Sequence, residues 1–343
     1  MSSHDHEADP GLQPGDCLGP YEIERKLKGG GMATVYKACT LQDGRRVAVK
    51  VAKRGMGAAL QDEAVLFKAV KLNHPNIIKI LPGMAEDGRP AYRLRDASTG
   101  LWYFAMEYMD GGSLADWLKK QKHLPLAKAF LVVKQIGAAL DAAHQAGLLH
   151  LDVKPSNILF VQDPTTARNP RAVLSDFGIG RLWGRGHGGA ASSSLTPEYA
   201  SPEQARLYLN QPDSPEPPGP TSDLYSLTTV LYEMVSGALP FAAISNELVD
   251  PKVYLFRIIE QSPRLPIPGA PENLTRILAK GLAKEPSARY QKAAEMITDL
   301  RSLVGIVGML GFGPKIPPTL WVPLASGVIG FLIGLAVGRM ITP

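Results

Sequence analysis

The pattern of apolar residues changes once along this chain, and that change limits the possible folds. Between residues 21 and 109, short runs rich in β-branched and aromatic residues predict strands, namely YEIERKL, TVYKACT, RRVAVKV and LWYFAMEYM. From Ser113 onward apolar residues recur at helical spacing, most clearly in AKAFLVVKQIGAALDAAHQAG. The sequence therefore predicts a strand-rich part followed by a helix-rich part, with one helix at 59–71 inside the former.

Composition is that of a globular protein with no nucleic-acid partner. The 343 residues suffice for one large or two medium domains, and 45% of them are hydrophobic. The net charge is only +5, and no basic block is dense enough for a nucleic-acid footprint. Two cysteines, Cys17 and Cys39, are too few for a disulfide framework and indicate a reducing, cytosolic setting.

The two ends of the chain differ in character. Residues 1–19 are polar and acidic without an apolar core, which predicts a disordered tail and not a signal peptide. Residues 319–338, TLWVPLASGVIGFLIGLAVG, carry no charge, and a helix of this length spans ~30 Å, the thickness of a bilayer core. We expect a single transmembrane helix here, after a linker at 304–318 and before a short tail at 339–343. The alternative is a buried helix of the globular domain.

Three glycines in the uncharged segment share one helix face. Gly330, Gly334 and Gly338 recur every four residues. Small residues let two membrane helices approach closely, so this face could join two copies into a homodimer. The alternative is that glycine is simply common in membrane helices.

Two short motifs, HLDVKPSN and DFG, together with a strand lysine, supply the parts needed for phosphoryl transfer from ATP. Such a reaction needs a group on the phosphates, metal ions, and a carboxylate that orients the attacking hydroxyl. Lys50 in RRVAVKVA could reach the phosphates, whereas Asp176 and Asn157 are hard oxygen ligands suited to Mg²⁺ or Mn²⁺. Asp152 could take the hydroxyl proton, and Lys154 could steady the γ-phosphate. Each residue alone is weak support, and their joint order and spacing carry the hypothesis.

With these motifs the chain resembles the eukaryotic-like (Hanks-type) serine/threonine protein kinases of bacteria, of the membrane-attached kind. Further markers follow in the family's order: VAVK, LNHPNI, MEYMDGGSL, SDFGIGR, TPEYASPEQ, SDLYSLTTVLYEMVSG and PSARY. The resemblance implies an α+β, bilobal protein-kinase fold over residues 20–303. A small β-rich N-lobe (20–109) would lie over a large helical C-lobe (110–303), with ATP between them. It also implies protein substrates with Ser or Thr, autophosphorylation, and a cytoplasmic kinase domain at the cell membrane.

The resemblance assigns further roles residue by residue. Thr196 matches a threonine that bonds the catalytic aspartate and lysine, a pattern of Ser/Thr-specific kinases. Glu203 and Arg289 match a structural ion pair that ties the activation segment to the large lobe. Around the adenine, the matching positions are Val35, Ala48 and Leu159 as the apolar sandwich, Met106 as the gatekeeper, and Glu107 to Met109 as the hinge.

The stretch KLKGGGMATVYKA departs from the family's glycine loop. Aligned on VYKA, the family's glycines fall at Lys28, Gly30 and Ala33, of which only Gly30 remains. Backbone N–H groups make most phosphate contacts, and the neighbouring Gly29 and Gly31 keep the loop flexible. We therefore expect a working phosphate loop. The bulkier Lys28 could stiffen this loop or touch ATP, and the affinity for ATP could be weaker than in the rest of the family. A merely flexible turn is the alternative.

Three more departures leave other functions open. Glu63 is the candidate partner of Lys50, but its spacing is irregular, and a solvated helix glutamate is the alternative. Leu151 replaces the arginine that grips an activation-loop phosphate, and Leu195 replaces a glycine. A second hypothesis is therefore a pseudokinase scaffold. A third, a small-molecule kinase of related fold, agrees less well with TPEYASPEQ and SDLYSL, which favour protein substrates.

Overall fold

The computed structural model describes residues 9–31, 33–55, 72–84, 89–176, 181–182, 195–211, 216–241 and 250–309. The chain divides into two units, Met1–Gly305 and Ile306–Pro343, and only 306–309 of the second unit belong to the described residues. The predicted helix at 59–71, with Glu63, lies outside them, as does the segment 319–338 with its three glycines. Within the described ranges no helix has the length and apolar character needed to cross a membrane.

An antiparallel sheet forms the N-terminal part of the first unit. Its strands are β1 (Cys17–Leu18), β2 (Tyr21–Gly29), β3 (Ala33–Thr40), β4 (Arg46–Ala52), β5 (Ile80–Leu81), β8 (Leu94–Arg95) and β9 (Trp102–Glu107). The order is β1-β2-β3-β4-β9-β5, with β8 also paired to β9, and β6 (Gly83–Met84) and β7 (Pro90–Ala91) form a separate ribbon. The four long strands coincide with the four predicted runs, so that prediction is confirmed.

The two faces of the sheet carry different kinds of side chain. In β4, Val47, Val49 and Val51 are fully buried in an apolar cluster with residues of β2, β3 and β9. Because side chains alternate along a strand, Ala48 and Lys50 point to the opposite face. We call this opposite face the cleft face, since Lys50 reaches a residue of the helical lobe from it.

Residues 9–19 contribute to the sheet, so the prediction of a disordered tail is wrong for this described part of 1–19. Leu18 pairs with Tyr21 in the register of β1 on β2 and is fully buried. The Asp9 carboxylate accepts hydrogen bonds from the hydroxyls of Thr34 (3.3 Å) and Tyr36 (3.2 Å). The segment is polar in composition, so its sequence did not predict these few contacts that hold it against the sheet.

Helices form the C-terminal part of the first unit, as predicted. They are α1 (Leu114–Gln121), α2 (Leu126–Gln145), α3 (Pro202–Tyr208), α4 (Pro220–Ser236), α5 (Pro251–Glu260), α6 (Glu272–Gly281) and α7 (Ala293–Met309). Helix α1 begins at a capping box, in which Ser113 and Asp116 satisfy each other's backbone N–H groups at 3.1 Å. Helix α4 is buried on almost every side and forms the centre of this lobe.

Helix α7 extends beyond the predicted domain boundary at residue 303. It continues to Met309, so the first six residues of the predicted linker 304–318 are helical. The helical apolar spacing does not stop at residue 303, and the first proline after it stands at Pro314. The described backbone of the predicted linker is therefore a continuation of α7.

Two short strand pairs carry the motif loops. Strand β10 (Leu148–Leu149) pairs with β13 (Arg181–Leu182), and β11 (Ile158–Phe160) pairs with β12 (Ala172–Leu174). HLDVKPSN lies between β10 and β11, and Asp176 follows β12 by two residues. The β11–β12 pairing therefore places both motifs at one end of the hairpin.

Candidate active site

The two predicted metal ligands lie next to each other at the end of the β11–β12 hairpin. Ile158 pairs with Leu174, so Asn157 and Ser175 are neighbours across the hairpin. The N–H of Ser175 donates to the Asn157 carbonyl at 2.9 Å, and its hydroxyl donates to the same carbonyl at 3.0 Å. These bonds fix the backbone of Asn157 beside that of Asp176.

Lys50 reaches from the sheet to Asp176. Its Nζ lies 2.6 Å from Oδ1 of Asp176. Burial alone would raise the pKa of the Asp176 carboxyl, but the charge and hydrogen bond of Lys50, acting together with the charge of Lys28, lower it below the usual range. The backbone of Asp176 has φ +70°, a conformation that non-glycine residues rarely adopt and that is often found at functional sites. The pair joins the predicted phosphate-binding lysine to the DFG motif.

Asp152 is the centre of a hydrogen-bond network in the catalytic loop. Its Oδ2 lies 2.7 Å from Nζ of Lys154 and accepts a hydrogen bond from Nδ2 of Asn157 at 3.0 Å. Its Oδ1 accepts a hydrogen bond from the Thr196 hydroxyl at 2.9 Å, and that hydroxyl accepts one from Lys154 Nζ at 2.6 Å. The predicted contacts of Thr196 with both residues are confirmed.

Replacing Thr196 by alanine should lower the rate of phosphoryl transfer about 10- to 100-fold without unfolding the protein. The hydroxyl bridges Asp152 and Lys154 and adds to their direct contact, and preorganised polar contacts of this kind contribute strongly to catalysis. The measurement is the initial rate of phosphate transfer to a protein substrate. Thr196→Ser keeps the hydroxyl and should stay within a few fold of the wild type, whereas equal loss in both variants would contradict this role.

Of the residues predicted to surround the adenine, Ala48 and Met106 share the cleft face at the β4–β9 junction. Ala48 pairs directly with Met106, and Val47 pairs with Glu107, the last residue of β9. The N–H of Glu107 donates to the Lys79 carbonyl at 3.0 Å. Met109 is buried, and Val35 and Leu159 are half-buried, on β3 and β11 respectively.

Of the three consecutive glycines, Gly30 has the most restricted surroundings. Its N–H donates to the Ala33 carbonyl at 2.9 Å and closes the turn between β2 and β3. A Cβ at Gly30 would lie 3.3 Å from that carbonyl oxygen, whereas a Cβ at Gly31 would meet open space. The glycine that the family pattern retains is therefore the one whose missing side chain matters to this turn. Gly29 ends β2.

The family model described as "protein kinase domain" matches residues 21–299. The chain belongs to the protein kinase family. Serine/threonine-protein kinase PknJ of Mycobacterium tuberculosis is 32% identical over 291 residues, which are 83% of this chain and 45% of PknJ. Serine/threonine-protein kinase PknB of Mycobacterium leprae is 34% identical over 292 residues, 82% of this chain and 42% of PknB. The chain thus spans less than half the length of these relatives.

A buried carboxylate that the sequence analysis did not assign holds the catalytic loop of this kinase domain. Asp223, on α4, accepts hydrogen bonds from the N–H groups of His150 (2.9 Å) and Leu151 (2.7 Å), and its Oδ2 lies 2.8 Å from Nε2 of His144. Burial would raise the pKa of Asp223, but the hydrogen bond and charge of His144 lower it. A lone acidic residue in the otherwise uncharged stretch SDLYSLTTV was the available signal.

Leu151 acts in this kinase domain through its backbone. It has φ +61°, and its carbonyl accepts a hydrogen bond from Nε2 of Gln204 at 2.9 Å. With Asp223 on the N–H and Gln204 on the carbonyl, both polar groups of a strained peptide are satisfied. The leucine side chain is buried, so the position that holds arginine in the family serves packing here.

The predicted ion pair between Glu203 and Arg289 is confirmed. Both side chains are buried, and the guanidinium binds the two carboxylate oxygens at 2.8 Å each. Arg289 also donates to the carbonyls of Ala283 (2.8 Å) and Lys284 (2.7 Å), and Ser222 donates to Glu203 at 2.6 Å. Burial would raise the pKa of Glu203, but Arg289 lowers it, so the pair is ionic.

The donor set beside the catalytic loop fits a hard divalent cation. The carboxylate of Asp176 and the amide oxygen of Asn157 are oxygen ligands, and each already has an ammonium group on it, from Lys50 and Lys28 respectively. In the described part of the chain, no group of three or more His, Cys, Asp or Glu side chains could hold a metal ion. Mg²⁺ is usually bound by one or two carboxylates together with substrate phosphates, and these residues match that arrangement.

Proposed function

We propose that the protein is an ATP-dependent serine/threonine protein kinase that transfers the γ-phosphoryl group to Ser and Thr hydroxyls of proteins, including its own. The observation that carries this proposal is the network in which Asp152 binds Lys154, Asn157 and Thr196 at once. A carboxylate held in this way can orient an incoming hydroxyl, and Lys50 and Asp176 supply charges for the nucleotide beside it.

Each step of the proposed reaction has a residue to perform it. Asp152 accepts the proton of the substrate hydroxyl, whose oxygen bonds to the γ-phosphorus while the bond to the β,γ-bridging oxygen breaks and ADP leaves. Lys154 binds the oxygens of the moving phosphoryl group, and Lys50 binds the phosphates that remain with ADP. Asp176 and Asn157 would hold Mg²⁺, whose charge would offset that of the phosphates.

A groove next to the catalytic loop favours a polypeptide acceptor over a small molecule. It has a volume of about 610 Å³, and its lining includes Lys154, Ser156 and Thr196 together with Glu198, Tyr199 and Leu239. A groove that adjoins the phosphoryl-transfer site can hold the residues that flank an acceptor Ser or Thr.

Asp152→Asn should lower phosphoryl transfer at least ~10²-fold, because general-base catalysis contributes about 10²- to 10⁴-fold. The measurement is transfer of radiolabelled phosphate from ATP to a generic protein substrate by the full chain in detergent, followed by mapping of labelled residues. Label on Ser and Thr that disappears in Asp152→Asn supports the proposal. Equal, background labelling in both proteins would favour the pseudokinase scaffold, for which Leu151 and Lys28 are the motivating departures.

We also propose that residues 319–338 anchor the protein in the cell membrane as a single span, with the kinase domain in the cytoplasm. The support is the run of twenty uncharged residues, its length relative to a bilayer, and the need for cytosolic ATP. A protein lacking 319–338 should move from the membrane pellet to the soluble fraction after alkaline washing. If the intact chain is washed off equally, the anchor does not exist.

The glycines of that segment support a proposed homodimer, which would favour phosphorylation in trans. Gly330, Gly334 and Gly338 share one face, along which two helices could pack closely. A membrane two-hybrid assay on residues 315–343 compares the wild type with Gly334→Ile. Self-association that is equal in both, or absent from both, would rule out this contact and leave the kinase proposal intact.

A further inference from the structure

Two lysines of the sheet, Lys28 and Lys50, reach the region of the catalytic loop. The family's sequence pattern has a lysine at the position of Lys50 but a glycine at that of Lys28. Lys50 Nζ lies 2.6 Å from Asp176 Oδ1. Lys28 Nζ donates to Oδ1 of Asn157 at 3.1 Å and lies 3.4 Å from the hydroxyl oxygen of Ser156. Each of the two proposed metal ligands therefore has a lysine ammonium on its oxygen.

A β-bulge aims Lys28 at the cleft. Lys26 pairs with Tyr36 and Lys28 with Val35, so Leu27 is an extra residue in β2. Without the bulge, Lys28 would lie opposite Thr34 and share its face of the sheet, because a shift of one residue reverses the direction of a side chain. The bulge therefore decides where the lysine charge goes.

Lys28, Val35 and Lys50 form one row across three strands. Val35 pairs with Lys28 on one side and with Lys50 on the other. Directly paired residues of antiparallel strands point to the same face, so both lysines flank the residue predicted to cover the adenine. Lys50 has the position expected of a phosphate-binding lysine, and Lys28 is its counterpart on the glycine-loop strand.

The charges around Lys28 explain why it would respond to ATP. Lys28 lies on the amide oxygen of Asn157, Lys50 lies on Asp176, and Lys154 lies on Asp152. Among the described residues, these three ammonium groups would attract a polyanion such as triphosphate. A metal ion on Asn157 would repel the Lys28 ammonium from the amide oxygen and free it to bind a phosphate oxygen.

We propose that Lys28 is a phosphate-binding residue of the nucleotide site, which holds Asn157 in the free protein and moves to a phosphate oxygen when ATP binds. This inference rests on the proposed kinase function. Because Lys28 gives the phosphates a positive charge that does not come from a metal, it makes ATP binding less dependent on Mg²⁺. The lysine in place of the family's glycine is then a specific adaptation of the phosphate loop.

The test is equilibrium binding of ATP and of adenosine to the full chain in detergent, in EDTA and in excess Mg²⁺. Lys28→Gln should weaken ATP binding in EDTA at least ~10-fold, as expected for loss of one charge-assisted hydrogen bond. Adenosine, which has no phosphate, should bind equally well to both proteins. Lys28→Arg should stay close to the wild type in ATP binding.

Lys26→Gln is the matched control. It removes the same charge from the same strand, but its ammonium pairs with Asp9, away from the catalytic loop. It should leave ATP binding unchanged. ATP binding by Lys28→Gln that is unchanged or tighter in EDTA would overturn the proposal, as would an equal loss of adenosine binding. If the wild type transfers phosphate in such a case, only the role of Lys28 fails, whereas a wild type that binds no ATP overturns the proposed function as well.

Discussion

Asp176→Ala is expected to abolish phosphoryl transfer, with a loss of at least ~10³-fold, in a protein that remains folded. Removal of a single preorganised contact commonly costs about 10²- to 10³-fold in rate. This substitution removes two functions, because the carboxylate is a proposed metal ligand and also binds Lys50 at 2.6 Å. The measurements are the rate of radiolabelled phosphate transfer and the thermal unfolding midpoint.

Two further variants make this result specific. Lys50→Met should cause a similar loss while leaving the fold intact, and autophosphorylation at the wild-type rate in that variant would show the nucleotide assignment to be wrong. Asp163→Ala is the matched control, since this exposed carboxylate accepts hydrogen bonds from the neighbouring Thr165 in a surface turn. It should leave the rate of transfer unchanged.

Arg289→Met is expected to lower the free energy of unfolding by about 3–5 kcal/mol, the usual cost of leaving one member of a buried ion pair unpaired. Glu203 would keep its buried charge, and the carbonyls of Ala283 and Lys284 would lose their donor. The free energy is measured by equilibrium denaturation in urea. Because Glu203 lies in α3, directly after the activation segment, we also expect activity to fall.

The double variant separates the ion pair from general loss of packing. Glu203→Gln combined with Arg289→Met removes both charges, so it should be less destabilised than the sum of the two single variants. Arg276→Met serves as the control, because this exposed arginine contacts only the nearby Asn273 among the interactions described for it. A loss of stability in the control as large as that of Arg289→Met would contradict the argument from burial.

Local sequence patterns determined the main elements and much of the site. The β-branched residues of RRVAVKV predicted β4, and the helical spacing of apolar residues in AKAFLVVKQIG predicted α2. The contacts of Thr196 with Asp152 and Lys154, and the pair of Glu203 with Arg289, were implied by the resemblance to the kinase family. They join residues of separate motifs, so local spacing alone would not have predicted them.

The tertiary structure decided where several of these residues act. Asp223 binds backbone groups of the catalytic loop that lie more than seventy residues away in the sequence, and no local sequence pattern predicts such a contact. The direction of Lys28 depends on an extra residue in β2, and this register is set by pairing with β3. Strand β1, which contains Leu18, joins the sheet although the segment around it is polar in composition. The sequence by itself determined the lobes and the chemistry of the motifs, because local spacing encodes them. Only the folded chain determined that Asp223 binds the catalytic loop and that Lys28 reaches Asn157, because register and long-range packing bring distant residues together.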